Sequence, residues 1–468
     1  SRSKVSNLEH ERLVVYQLSW NSYSIFTGVR NRGGTSPQCA AMARSLIAPS
    51  SICTFSLLIT GTGLLLRSDE RKHVPVSDDE RCRAAAGAQT PPMGWRSWNA
   101  FMSNVSQEKI LAQVHAIAAK HGPQPSLVQV GYTEVGLDDG WQECNDQKRL
   151  NNMDVGSFHD EQGQILVSKN RFPDMAAMTE QAHAMGVKMG MYLNTCLCNE
   201  VQYIERGGYP TEDARRVVSF GFDAVKIDGC GPARDMCEWA TAFAGAATEL
   251  NTTAPILENC ANNGFGSTEM SGWTLPDART VTEDCPFHTY RVSLDIAPDY
   301  YSAMWNLQHL IPFLDKEGPL SRPGCWAYPD MLQIGRLLSA AENRAHFAAW
   351  CITSSPLILG FDMTDEKTMA EVYPIITNSL AIEVNQAWHG HPGRLVENST
   401  RKLAVVAMHG ADMYRGDKWK APETQIWAKT LGPSREAVVV LNHAFGDRNV
   451  CFNFKKLGLA DGVATAAT

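Results

Sequence analysis

Apolar and polar positions alternate in blocks along most of the chain. From Pro91 onward one unit recurs: a polar cap, a helical stretch, a glycine, then a short apolar run with a polar tip. In DMAAMTEQAHAMG, Asp174 is the expected N-cap and Gly186 the helix stop, and VKMGMY follows as a strand. TEDARRVVSFG repeats the design, with Thr211 as cap, acidic residues in the first turn and Gly221 as stop; FDAVKI is its strand. PILEN at 255–259 follows a helical stretch near 236–250, and PLILGFDM at 356–363 follows the helical run around AENRAHFAAWCITS. This alternation predicts βα units on a parallel sheet. Several such units over residues 90–390 predict a (β/α)8 TIM barrel rather than an open doubly wound sheet, and no GxGxxG follows the first strand. After about His391 the texture changes to short β-rich runs, RKLAVVAMHG, TQIWAKTL and REAVVVLNHA, separated by Gly, Pro and Asp. These predict a second domain over 391–468, an antiparallel β-sandwich expected to be incomplete at its Ala/Thr/Gly tail.

The first 89 residues read differently. Residues 1–41 show no clear apolar period, and Met42 opens a mostly apolar stretch, with Arg44 ahead of it, that ends near Leu66. That pattern predicts a secretory signal or signal anchor at about 42–66, with the residues upstream of Met42 added to the natural start. Its length near 20 residues leaves cleavage and anchoring as alternatives. The charged, Ala-rich segment 67–89 reads as a linker.

Composition narrows the function. Of 468 residues, 44% are hydrophobic and 20% charged, the balance of an ordinary globular protein. A formal charge of −8 and a pI near 5.9 argue against a general nucleic-acid or anionic-membrane partner. A stable membrane partner is expected only if the apolar N-terminal segment is an uncleaved anchor. Thirteen cysteines fit an exported protein better than a reduced cytosolic one. Asn104, Asn251 and Asn398 head N-x-S/T sequons, a weaker sign of the same route.

Polar residues recur at strand C-terminal ends, where a barrel builds its active site: Asp138 and Asp139, Asn194, Asp228, Asn259 and Asp362. In GFDAVKIDGC, strand alternation puts Lys226 and Asp228 on one face and Val225 and Ile227 on the other. A buried Lys–Asp combination is costly unless the two pair or bind a polar ligand. Pairing would keep the aspartate ionised, as a nucleophilic carboxylate requires; a structural ion pair is the alternative. YRVSLDIAPD offers a second carboxylate, Asp295, with Arg291 four residues before it. DDGW at 138–141 sets two adjacent carboxylates before an aromatic, a pattern able to hold vicinal sugar hydroxyls while the tryptophan excludes water. A calcium loop would want more acidic ligands at alternating positions. For the CLC pair, Cys196 and Cys198, a disulfide is the better expectation than a metal, since no second closely spaced Cys/His pair completes a zinc site.

Seven segments, TPPMGWRSWNAF, GLDDGW, GVKMGMY, FDAVKIDGC, YRVSLD, PGCWAYPDML and AHFAAWCITSSPLIL, resemble in order the motifs of family 27 glycoside hydrolases, the α-galactosidases and α-N-acetylgalactosaminidases. The resemblance runs from about residue 90 to 450. It implies a retaining double displacement, with Asp228 as nucleophile and Asp295 as acid/base, and no metal or organic cofactor. It implies sugar contacts from Trp98, Asp138, Asp139, Tyr192, Lys226, Arg291 and Met331. It also implies bridges from Cys196 or Cys198 to Cys230, and from Cys260 to Cys285.

The departures are local. Gly140 stands where relatives commonly place a half-cystine, so one familiar disulfide is expected to be absent. WAYPDM replaces the usual Trp-Asn-Asp-Pro-Asp-Met, so that Ala327 and Tyr328 remove two polar groups near the barrel mouth. In ENCANNGFG, Ala261 to Gly264 match neither the bulky Glu-Trp that crowds the sugar 2-position in galactose-specific members nor the smaller residues of members that accept an acetamido group. The expected protein is therefore a secreted, lysosomal or vacuolar α-galactosidase acting on a carbohydrate substrate, with a homodimer as its expected assembly. The alternatives are an α-N-acetylgalactosaminidase on the same scaffold and a catalytically inactive galactose-binding protein.

Overall fold

The computed structural model describes residues 12–19, 22–29, 84–144, 149–150, 153–154, 156–198, 209–228, 235–260, 285–314, 318–404, 420–433, 435–451 and 453–457. Eight parallel strands form one sheet: β1 (Met93–Arg96), β2 (Glu134–Gly136), β3 (Lys188–Asn194), β4 (Ala224–Asp228), β5 (Ile256–Asn259), β6 (Thr289–Arg291), β7 (Trp326–Tyr328) and β8 (Leu357–Leu359). They run in sequence order from β1 to β7, and β8 pairs back onto β1 through Leu357, Ile358 and Leu359. The seam between β7 and β8 is bridged just past β7, where the Leu332 N–H donates to the Ile358 carbonyl at 2.8 Å. This is the (β/α)8 barrel that the block pattern predicts.

Around it lie α1 (Gln107–Ala118), α2 (Met175–Ala184), α3 (Pro210–Ser219), α4 (Met236–Glu249), α5 (Tyr300–Leu310), α6 (Ala340–Ile352), α7 (Glu366–Ile376) and α8 (Ser379–Gln386). Local chemistry sets their ends. Asp174 caps α2 by accepting the Ala177 N–H, and Gly186 takes φ +74° after it, as the sequence predicts. For α3 the structure corrects the cap. The helix starts one residue before Thr211, with Pro210 at its first position and Tyr209 before it, because proline's fixed φ and missing N–H suit that place. The acidic first turn, Glu212 and Asp213, and the Gly221 stop at φ +85° are as expected.

Each barrel strand is buried on both faces. In β4, Val225 and Ile227 join the core against the helices, while Lys226 and Asp228 face the lumen. Parallel register puts Lys226 beside Tyr192 of β3 and Glu258 of β5, and Asp228 beside Asn194.

After the barrel, β9 (Arg394–Asn398), β10 (Thr424–Gly432) and β11 (Arg435–Asn442) form an antiparallel sheet. Alternation divides its faces: Trp427, Leu431, Ala437, Val439 and Leu441 belong to the same core as the barrel, while Ile426, Ala428, Val438 and Val440 form a small outer cluster with Leu457. The backbone of Arg12–Ser19 pairs in parallel with β11, and Ser22–Val29 pairs with Arg12–Ser19, so that the sheet has five strands. The absence of an apolar period in residues 1–41 did not predict this hairpin. The expected signal or anchor at 42–66 lies outside the described residues. Among the described residues no helix is long and apolar enough to cross a membrane. The three sequon asparagines, Asn104, Asn251 and Asn398, are exposed.

Candidate active site

The C-terminal ends of the strands bring charged side chains together at one mouth of the barrel. Lys226 on β4 is the centre. Its ammonium lies 2.9 Å from Asp138 Oδ2 and 3.6 Å from Asp228 Oδ2, and it sits 5.2 Å above the Tyr192 ring. All four residues are buried. Burial disfavours a charged lysine, but Asp138 and Asp228 outweigh it and hold Lys226 above the ordinary lysine range. The pair expected from strand alternation is thus part of a four-residue array built from β3, β4 and the turn after β2.

Asp138 is fixed from several sides. Its backbone N–H donates to Ser97 Oγ at 2.9 Å, and its Oδ1 accepts the Asp139 N–H at 2.8 Å. Asp139 is tied within its own turn, where its Oδ1 accepts Gln142 Nε2 at 2.7 Å and the Gly140 N–H at 2.9 Å. Gly140 has φ +105°, and a Cβ there would lie 2.8 Å from the Ser103 backbone, so neither the backbone angle nor the space admits a cysteine. Trp141 does not face the mouth as a shield. It is fully buried, with Nε1 donating to the Tyr192 carbonyl at 2.9 Å and its ring edge-on to Phe158. Trp98 follows β1 at the same end and is half-buried.

A second array stands on β6 and β7. Arg291 Nη1 lies 2.7 Å from Asp295 Oδ1 and 3.4 Å from Asp330 Oδ2. The Asp295 side chain is 73% exposed, whereas Arg291 and Asp330 are buried. Arg291 holds the Asp295 carboxyl below the usual carboxylate range; burial raises Asp330 despite the same guanidinium. Asp330 also accepts the Ile296 N–H at 2.8 Å and the Met331 N–H at 2.6 Å, and therefore anchors both the loop that carries Asp295 and the buried Met331. Asp228 and Asp295 both act electrostatically on Arg291, which links the two arrays.

Residues 90–387 match the family model described as alpha galactosidase A. The chain belongs to that family. It is 28% identical over 366 residues to "Alpha-galactosidase A" of Cellvibrio japonicus, covering 76% of this chain and 77% of that one. It is 27% identical over 339 residues to "Alpha-N-acetylgalactosaminidase" of Homo sapiens, covering 68% and 74%. Among solved structures, alpha-galactosidase I from Mortierella vinacea superposes with a TM-score of 0.55 at 21% identity, covering 76% of this chain and 82% of that one. As a member of the alpha galactosidase A family, which is family 27 of the glycoside hydrolases, the protein is a glycoside hydrolase.

Within this family member one of the bridges that the resemblance implies, Cys260 to Cys285, is not formed. Cys285 pairs with Cys325 and Cys198 with Cys144, at Cα separations of 6.1 and 5.7 Å. Cys260 follows β5 at the barrel mouth, whereas Cys285 precedes β6 and Cys325 precedes β7 at the opposite end. A Cys260–Cys285 bridge would have to cross the barrel's height; Cys260 is instead a buried thiol. Cys196 is disulfide-bonded as well, and Cys230, its expected partner, lies outside the described residues. The loop Ala261 to Gly264, on which sugar preference was expected to turn, also lies outside them.

Tyr328 also departs from expectation. It restores a polar group rather than removing one, since its hydroxyl donates to Glu258 Oε1. Glu258 in turn holds Arg96 at 2.6 Å across the lumen. Sequence reasoning missed Arg96, Glu258 and Asp330. For Asp330 a signal existed, because it directly precedes Met331 in a quoted motif. Arg96 and Glu258 are 162 residues apart and share no local pattern.

Proposed function

We propose that the protein is a retaining α-galactosidase that hydrolyses terminal α-linked galactose from oligosaccharides or glycoconjugates. The observation that carries this reading is the Lys226 ammonium shared between Asp138 and Asp228 at the barrel mouth. On this reading Asp228, with the Lys226 ammonium beside it, is the nucleophile, while Asp138 and Lys226 present an acceptor and a donor to neighbouring sugar hydroxyls. Asp228 attacks C1 as Asp295 donates its proton to the leaving oxygen; water then reverses the roles. Asp295 is ionised in the free protein because Arg291 holds it. A sugar hydroxyl accepting from Arg291 Nη1 would loosen that grip and let Asp295 carry the proton. Trp98, Asp139, Tyr192 and Met331 complete the sugar site on this reading. The disulfides favour folding in the secretory pathway, with an extracellular, lysosomal or vacuolar destination.

A second reading, α-N-acetylgalactosaminidase, is favoured by the near-equal identity to the human enzyme of that name. Paired chromogenic α-galactoside and α-N-acetylgalactosaminide substrates separate the two, with Asp228→Ala as control. Galactoside turnover with retention of the anomeric configuration, abolished by Asp228→Ala, is the expected result. Preference for the acetamido sugar would move the assignment to the second reading, and inversion would remove the nucleophile role from Asp228.

A further inference from the structure

Beneath the mouth, Arg96 extends from β1 into the lumen among three carboxylates but bonds only one. Its Nη1 lies 2.6 Å from Glu258 Oε2, while Nε is 4.0 Å from Asp138 Oδ2 and Nη2 is 4.0 Å from Glu134 Oε1. The barrel is built to admit this side chain: Gly136 stands in register with Arg96 on the neighbouring strand, and a Cβ there would lie 3.0 Å from Arg96 Nε. Glu258 is held from its other side, because the Tyr328 hydroxyl donates to Oε1 while Arg96 occupies Oε2. Its carboxylate therefore cannot turn away without losing a bond. Arg96, Glu258 and Tyr328 are all buried.

We propose that Glu258, oriented by Tyr328, is a positioning residue that holds the Arg96 guanidinium off Asp138 and thereby reserves Asp138 for Lys226 and for a sugar hydroxyl. This deepens the α-galactosidase reading and rests on it. The Asp138 oxygen nearest Arg96 is the same Oδ2 that accepts Lys226 at 2.9 Å. A buried guanidinium deprived of Glu258 must find another counter-ion, since an unpaired buried charge is strongly unfavourable. Its rigid fork of five donors matches a carboxylate better than an ammonium does. Closing the 4.0 Å gap would draw Asp138 from Lys226 and leave Lys226 to its other carboxylate, Asp228, now 3.6 Å away. Ligand affinity is lost first, because Asp138 no longer faces the sugar. Glu134 on β2 and Cys260 beyond β5 also face this array, and neither is altered in the test.

The test uses the full chain and reads KM, kcat and galactose binding by calorimetry, with thermal melting as a fold control. Glu258→Gln is expected to raise KM and the galactose Kd roughly tenfold to a hundredfold, with kcat changed less. Tyr328→Phe shifts both in the same direction by a smaller factor. The pair Arg96→Gln with Glu258→Gln removes the competitor and is expected to recover most of the affinity lost in Glu258→Gln alone. A structural filler of the lumen would show no such rescue. Unchanged binding in Glu258→Gln, or a double variant no better than Glu258→Gln, overturns the proposal while wild-type turnover leaves the α-galactosidase reading standing. If Glu258→Gln does not fold, unchanged binding in Tyr328→Phe overturns it equally. A wild-type protein that neither hydrolyses nor binds either sugar overturns the site reading, and the positioning role falls with it.

Discussion

Asp330→Asn isolates one charge in the second array with little other disturbance. Asp330 has φ +87°, a conformation that asparagine adopts as readily as aspartate, so the backbone can remain in place. What changes is the carboxylate. Its two oxygens now accept the Met331 and Ile296 N–H groups and face Arg291 at 3.4 Å. An amide has one acceptor oxygen, which leaves one of those buried N–H groups facing an NH2 at a cost of about 1–3 kcal/mol. The lost attraction to Arg291, taken alone, is roughly 5 kcal/mol at an effective dielectric of about 20. Asp295 remains as counter-ion and the desolvation of one carboxylate is relieved, so the net loss of stability is expected near the low end for broken buried pairs, about 2–3 kcal/mol. The Asp295 loop is then less well held, and kcat/KM is expected to fall roughly tenfold to a hundredfold.

The pH profile carries the sharper sign. With Asp330 neutral, Arg291 serves Asp295 alone, which lowers the Asp295 pKa further. The protonated acid is then lost at lower pH, and the alkaline limb of kcat/KM moves towards acid. Denaturant unfolding and a kcat/KM profile on a chromogenic α-galactoside read both quantities. A variant with wild-type kcat/KM and an unmoved alkaline limb would refute the account of Asp330 as anchor of Arg291 and the Asp295 loop.

Three further outcomes are expected. Lys429 on β10 is fully buried, with its ammonium donating to Ser354 Oγ, the Val384 carbonyl and the Asn385 carbonyl, so Lys429→Met should cost about 2–4 kcal/mol by denaturant melting; a neutral effect would mean that the desolvated charge gains nothing from those acceptors. Burial pushes Glu134 up from 4.5 to about 7, and because the folded state then binds more protons than the unfolded one, stability falls as pH rises between those values. The loss is on the order of 3 kcal/mol at most, and Glu134→Gln should flatten the Tm–pH curve over that window. Cys144→Ser with Cys198→Ser opens a link across 54 residues and is expected to cost about 4 kcal/mol by the loop-entropy argument, read as a fall in the urea midpoint.

The barrel was legible because a helix, a glycine stop and a buried strand form a local pattern that repeats. Strand alternation also anticipated that Lys226 and Asp228 share the lumen face, since side-chain direction in a strand is purely local. Caps were read to within a residue or two; Thr211 lost to Pro210 because proline at the first helical position needs no side-chain acceptor. The cysteine pairs were not legible, since a bridge depends on which end of the barrel each cysteine occupies, and the resemblance gave Cys285 a partner at the wrong end. Arg96 and Glu258 meet across the lumen through neither sequence proximity nor period. The small residue that makes room for Arg96, Gly136, reads in the sequence only as part of a motif.

The sheet of β9 to β11 shares its inner face with the barrel's own core, and this bears on how the catalytic unit can be moved. A fragment ending near residue 390 would expose Trp427's seat and the α8 carbonyls that Lys429 caps, a greasy, acceptor-rich scar on the outer helices. Such a piece is expected to precipitate rather than fold. Grafting a β-domain from another hydrolase would succeed only if α6, α8 and the segment around Ser354 travelled with it. The portable module is therefore the barrel with its sheet attached.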